Sequence, residues 1–201
     1  HYVFWNHCYH SKIELLKPSF EQLMPKNDRN GQAEIWGEQL DEVMTDLSPK
    51  MRAIFSICRY TGCRVSEARQ LKAEDLVGDC IVFRKATTKG KATRQVNMHP
   101  ALKAVLAEVE LPTTGYLFPG RSGERAITRQ ACDKALRKVC DRITLKGHST
   151  HSFRRTTLTQ LSNSQVPLRV IQEISGHKSL QELQRYLEVS PEQIEDAISS
   201  L

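Results

Sequence analysis

From Glu34 onward the apolar positions fall at helical spacing. Ile35, Trp36, Leu40, Val43, Met44 and Leu47 recur on one face. Ser48-Pro49 predicts a second helix, with serine as cap and proline in the first turn. Its face carries Met51, Ile54, Phe55, Cys58 and Tyr60, and Gly62 ends it. A short helix is expected around Val65–Leu71. The apolar run at 80–85 predicts a strand, and Thr93–Met98 its partner, joined through the polar segment TTKGKA. His99-Pro100 opens a helix bearing Leu102, Val105, Leu106 and Val109. Residues 111–127 read as a long connection anchored by Tyr-Leu-Phe. Further helices are expected at 128–141 (capped by Thr128), 150–163, 167–175, 179–188 and from Ser190-Pro191 onward.

Residues 1–33 show no such period. Pro18, Pro25 and the run PKNDRNG interrupt any long element, which predicts an extended arm or linker. The expected fold class is therefore mostly α with a small antiparallel β-sheet (α+β). One domain is expected over 34–201, and within it 191–201 forms a C-terminal docking helix. The stripe for docking is Ile194, Ile198 and Leu201, seated either in the core of its own domain or on a neighbouring surface. No internal repeat or low-complexity segment is visible.

A chain of 201 residues, 39% of them apolar, suits one domain with an appended arm. Apolar runs long enough to span a membrane are absent, and the start HYVFWNHCYH lacks the features of a signal peptide. The six cysteines form no CxxC pair and read as free, mostly buried thiols of a reducing compartment. His7, Cys8 and His10 lack a fourth ligand at a usual spacing, so no metal site is expected there. Charge is unevenly spread. Residues 49–177 carry 23 basic and 10 acidic side chains, a net of +13, whereas residues 1–48 carry 4 basic and 8 acidic. That central excess fits a polyanionic partner, although a well-solvated basic face has the same composition.

The candidate chemistry lies in separated motifs. Arg64 stands in TGCRVSEARQL, Lys89 in TTKGKATR, His151 and Arg154 in HSFRR, and His177 in SGHKS, with Tyr186 nine positions later. Two arginines offer rigid forks of N–H donors to the oxygens of a phosphodiester, whose transition state gathers negative charge. A tyrosine is a weak nucleophile until positive neighbours favour its ionised form, and a lysine can protonate a departing oxygen. His151 and Arg154, three apart on a helix, face one way. Taken singly, each has an ordinary reading. Arg64 is one solvated arginine among many, and Lys89 solubilises a hairpin tip. His151 is a satisfied helix-start group, Arg154 pairs with an acid such as Glu173, His177 is a helix-ending packing residue, and Tyr186 is an amphipathic aromatic.

Taken together, in this order and at these gaps, the motifs resemble the catalytic domain of the tyrosine recombinases, or phage integrase family, which includes the Xer-type resolvases. The resemblance runs from about residue 34 to 201. It rests on TGCRVSE, TKGKATR, HSFR, the Gly-His pair and the nine-residue interval to Tyr186. It implies that Arg64 and Arg154 bind the scissile phosphate. Tyr186 would attack it to leave a 3′-phosphotyrosyl link and a free 5′ hydroxyl. Lys89, rather than Lys85 or Lys91, would be the general acid, His151 would shuttle the tyrosine proton and His177 would hydrogen-bond the phosphate. Glu67 would support Arg64. No metal and no nucleotide cofactor is implied. The implied partners are double-stranded DNA and further protomers on it, as a dimer or tetramer, with no membrane; the implied location is the cytoplasm, at the nucleoid.

The chain departs from the family at its front, where a helical core-binding domain usually precedes the catalytic one and residues 1–33 are too short to supply it. Arg155 is a candidate for backbone contact only. Rival readings are a type IB topoisomerase and a DNA-binding regulator without catalysis. The recognised DNA site and the biological purpose are not legible in the sequence.

Overall fold

A computed structural model describes residues 33–86, 92–184 and 191–199. The described elements are helices α1 (Gly37–Asp46), α2 (Pro49–Thr61), α3 (Val65–Ala68), α4 (Pro100–Ala107), α5 (Arg129–Arg142), α6 (Thr150–Asn163), α7 (Leu168–Ser175), α8 (Leu180–Gln184) and α9 (Pro191–Ser199). A 3-10 turn, Ala73–Asp75, leads into a sheet of β1 (Leu76–Val77), β2 (Cys80–Phe83) and β3 (Arg94–Asn97). The sheet is antiparallel in the order β1-β2-β3, with Leu76 opposite Ile81, Ile81 opposite Val96 and Phe83 opposite Arg94. This is the α+β class expected from the sequence.

The core forms where α2 crosses α6. Ile54, Phe55, Ile57 and Cys58 on α2 are sealed from solvent, as is Phe153 on α6. The rings of Phe55 and Phe153 stack with centroids 4.8 Å apart. Truncating either to alanine would cost about 3–5 kcal/mol. Phe83 and Ile81 from β2, Leu102 from α4 and Leu117-Phe118 from the long connection complete the same cluster. A smaller cluster of Leu158, Ile171 and Leu183 joins α6, α7 and α8.

Local chemistry explains most boundaries. Pro49 sits in the first turn of α2, and Gly62 ends that helix in the left-handed conformation, at φ 60°. Thr128 accepts a hydrogen bond from the Ala131 N–H and so starts α5. Three expectations are corrected, and one short strand is added. Residues 34–36 are extended rather than helical, because the Ile35 N–H donates to Thr156 Oγ1 at 2.9 Å and Ile35 is buried against α6. The short helix stops at Ala68. The strand expected to reach 85 ends at Phe83, since Arg84 turns away to pair with Asp75. β1 was not anticipated; two residues carry no periodicity. Of the helix expected at 179–188, Leu180–Gln184 is described and the remainder lies outside the described residues, as do residues 1–32 of the arm with His7, Cys8 and His10. Cys58, Cys63, Cys80, Cys132 and Cys140 are free thiols. Among the described residues, no helix is long and apolar enough to cross a membrane.

Candidate active site

The first motif wraps a helix junction. After Gly62 the chain reverses into α3, and Arg64 occupies its N-cap. Glu67, one turn on, accepts the Arg64 backbone N–H at 2.9 Å through Oε2. Its Oε1 lies 3.7 Å from Arg64 Nη1, within ion-pair range but beyond a hydrogen bond. Arg64 Nη1 is buried and meets no hydrogen-bond acceptor among the described residues.

The second motif opens α6. The Ser149 side chain accepts the His151 N–H at 3.2 Å, which fixes the first turn and directs His151 and Arg154 to the same side. Arg154 is 1% exposed, an unusual position for a guanidinium. Its charge is held by the C-terminal ends of two helices. Nη1 donates to the Gly62 carbonyl beyond α2 and, at 2.9 Å, to the Ser175 carbonyl that closes α7. Both carbonyls lie at the negative pole of a helix dipole, which favours a cation. Glu173, the acid considered as an alternative partner for Arg154, pairs instead with Arg169 at 2.7 Å.

The third motif begins where α7 ends. Gly176 caps it at φ 68°, a conformation that strains any side chain, and places His177 against Arg154. Arg154 Nη2 lies 2.9 Å from His177 Nε2, and Ser175 Oγ lies 2.7 Å from Nδ1. A guanidinium can only donate, and Nη2 also lies 3.2 Å from Nδ1, so a ring nitrogen accepts from Arg154 and the imidazole is neutral. Burial, then the charges of Arg154, Arg64 and Arg94, pull the His177 pKa down to about 3. His151 is also held below its ordinary value, first by burial and then by Arg129, Arg154 and Arg64, with Asp133 opposing. Both rings are neutral at physiological pH, and His151 has a lone pair with which to accept a proton.

Four of the six expected site residues, Arg64, His151, Arg154 and His177, therefore converge. Arg154 contacts the first and third motifs directly, and Arg64 is among the charges acting on both histidines. Lys89 and Tyr186 lie outside the described residues. The segments flanking them are described. Ala92, Thr93 and Arg94 line a cavity of about 340 Å³ together with Gly176, His177 and Lys178, so the strand leaving the lysine-bearing segment abuts the Gly-His motif. Leu183, three residues before Tyr186, is fully buried and fixes the end of α8. Arg94 and Ser175 were not singled out from sequence. A signal for Arg94 existed: two residues before Val96 on β3, it shares that residue's buried face, which puts a charged side chain on the inward side.

Comparisons with known proteins identify the family and the fold. The Phage integrase family matches residues 35–193. A tyrosine recombinase XerC of Halalkalibacterium halodurans is 30% identical over 181 residues, 79% of this chain and 57% of that protein. The integrase of Escherichia phage P2 is 26% identical over 81% of this chain and 44% of its own length. Among solved structures, the XerH site-specific recombinase bound to difH superposes with TM-score 0.66 at 24% identity, over 83% of this chain and 52% of that one. The catalytic domain of bacteriophage HP1 integrase gives TM-score 0.62 at 23% identity, over 83% of this chain and 94% of that domain. The chain spans about half to two thirds of the length of the curated relatives it matches, from 49% to 64% for the first three. With the family model matching residues 35–193 and the fold shared, this chain belongs to the phage integrase family, with the fold of a tyrosine recombinase catalytic domain.

Proposed function

We propose that the chain is the catalytic domain of a site-specific DNA recombinase that cuts and rejoins strands through a 3′-phosphotyrosyl intermediate at Tyr186. The observation that carries this reading is the buried Arg154 guanidinium. It is locked between two helix ends and His177, while Arg64 Nη1, buried in the same site, meets no hydrogen-bond acceptor among the described residues. Two preorganised cations of this kind suit a phosphodiester and the extra charge of its five-coordinate transition state. The Tyr186 phenol oxygen attacks phosphorus, its proton passing to neutral His151, and the bond from phosphorus to the 5′ oxygen breaks. Lys89 protonates that leaving oxygen. Attack by another strand's 5′ hydroxyl reverses the step and frees the tyrosine. In this scheme His177 orients Arg154 and shares its phosphate site.

Double-stranded DNA is the proposed substrate, supported by the net +13 over residues 49–177. Further protomers are the proposed partners, in a two-site complex on DNA. Helix α9 supports this: two residues of its apolar stripe, Ile194 and Ile198, are 56% and 66% exposed, which leaves them open to a neighbouring surface.

A nicked duplex that loses its 5′-hydroxyl fragment after cleavage tests the reading. The full-length protein should form a covalent adduct on the 3′ side of the break, and Tyr186→Phe should form none while still binding DNA. Relaxation of supercoiled DNA without sequence preference would favour the topoisomerase reading, and binding without any adduct the regulator.

A further inference from the structure

The Arg94 guanidinium joins four segments and has no part in the scheme above. Its Nη2 reaches Glu67 Oε2 at 3.1 Å and its Nη1 reaches Oε1 at 3.5 Å. Its Nε donates to the Ile174 carbonyl at 3.1 Å, and its central carbon stands 4.2 Å from the centre of the Phe83 ring. The Arg94 side chain is 9% exposed and that of Glu67 1%. Gly176 packs directly behind: a Cβ there would stand 2.8 Å from Arg94 Nη1.

Glu67 thus has two cationic neighbours, and they are not equal. Arg94 engages both carboxylate oxygens as a fork, whereas the Arg64 guanidinium stays 3.7 Å from the nearer one. A carboxylate this deeply buried needs a cation held by hydrogen bonds. Without Arg94, the nearest remaining cation is Arg64. Closing that gap of under an ångström would make a tight Arg64–Glu67 pair and cancel the charge meant for phosphate.

We infer that Arg94 is a positioning residue: it holds Glu67 in a two-pronged ion pair and so leaves the Arg64 guanidinium available to a phosphate oxygen. This rests on the recombinase reading of Arg64 and adds a residue that acts through it. The fork geometry matters, because a lysine ammonium cannot hold both carboxylate oxygens and the Ile174 carbonyl in one plane.

The test compares adduct formation by the full-length protein on two nicked duplexes, one with an ordinary scissile phosphate and one with a neutral methylphosphonate there. On phosphate, Arg94→Met should be slower by at least ~10-fold, as for loss of a preorganised charge. On the methylphosphonate, which carries no charge for Arg64 to neutralise, it should run near the wild-type rate. Arg64→Ala combined with Arg94→Met should be no slower than Arg64→Ala alone, the non-additivity of residues acting through one group. Should Arg94→Met fail to fold, Arg94→Lys takes its place, with a smaller loss on phosphate and none on methylphosphonate. Equal losses on both substrates, or losses that multiply with Arg64→Ala, would overturn the assignment of Arg94 alone. A wild-type protein that forms no adduct with its own site would overturn the recombinase reading and this inference with it.

Discussion

Arg154 donates a hydrogen bond from Nη2 to Nε2 of His177 across 2.9 Å, although the two residues stand 23 positions apart in the chain. The contact requires a neutral imidazole, and the burial and positive charge that lower the His177 pKa to about 3 favour one. The pair ties the HSFR motif to the Gly-His motif, and the Gly62 carbonyl ties both to the turn before Arg64. Arg154→Ala and Arg64→Ala should therefore each slow cleavage by at least ~10²-fold, the usual effect of removing a preorganised donor to developing charge. They should differ in stability. Arg154→Ala strands buried carbonyls and should lower the melting temperature clearly; Arg64→Ala should lower it little. Single-turnover rates and melting curves on the same preparations check both points.

The pH dependence of stability has a defined sign. The His177 pKa is depressed in the folded state, to about 3 against about 6.5 for an unperturbed histidine. Its contribution is complete above pH of about 6.5. It is lost as pH falls from there toward the folded value, because the unfolded chain takes up a proton that the folded one refuses. His177→Asn should melt below wild type at neutral pH, and the gap should narrow steadily toward pH 4.5. A gap that does not change with pH would contradict the buried neutral ring.

Much of this arrangement was legible in the sequence, and the misses have physical causes. Helices α2 and α5 announced themselves through Ser48-Pro49 and Thr128, both local signals. The burial of Arg154 was not legible, since it depends on carbonyls 92 and 21 positions away. Arg84 ended β2 early because its partner, Asp75, lies before the strand rather than within it. Ile35 read as helical by spacing, yet it is fixed extended by Thr156, a residue 121 positions on. Local pattern specified the elements and most of their ends; polar contacts outside the element moved the limits at Ile35 and Arg84.

Lys89 is assigned as the general acid on family resemblance, and leaving-group chemistry can test it. Lys89→Ala should cleave an ordinary phosphodiester at least ~10²-fold more slowly, in the range typical of general-acid catalysis. A bridging 5′ sulfur departs without needing the proton, so a 5′-phosphorothiolate should restore most of the rate. Rescue of Lys91→Ala with a normal Lys89→Ala would move the assignment to Lys91.

Helix α9 should act between protomers. Ile194→Asp with Ile198→Asp places two charges on side chains that are already exposed. The melting temperature of the DNA-free monomer should hold, within the ~0.5 kcal/mol expected of surface changes. Assembly of two-site DNA complexes should weaken by at least ~10-fold, because a buried carboxylate in an apolar seat is costly. A clear fall in monomer melting temperature would instead place the stripe against its own domain.

The central claim is a bond between one oxygen atom of this chain and DNA, and peptide mapping tests it most directly. The full-length protein is trapped on a nicked duplex carrying its own site, digested with protease and nuclease, and analysed by tandem mass spectrometry. The account predicts one nucleotide-bearing peptide, with the nucleotide attached through its 3′ phosphate to Tyr186. Attachment at another residue, or through a 5′ phosphate, would contradict it.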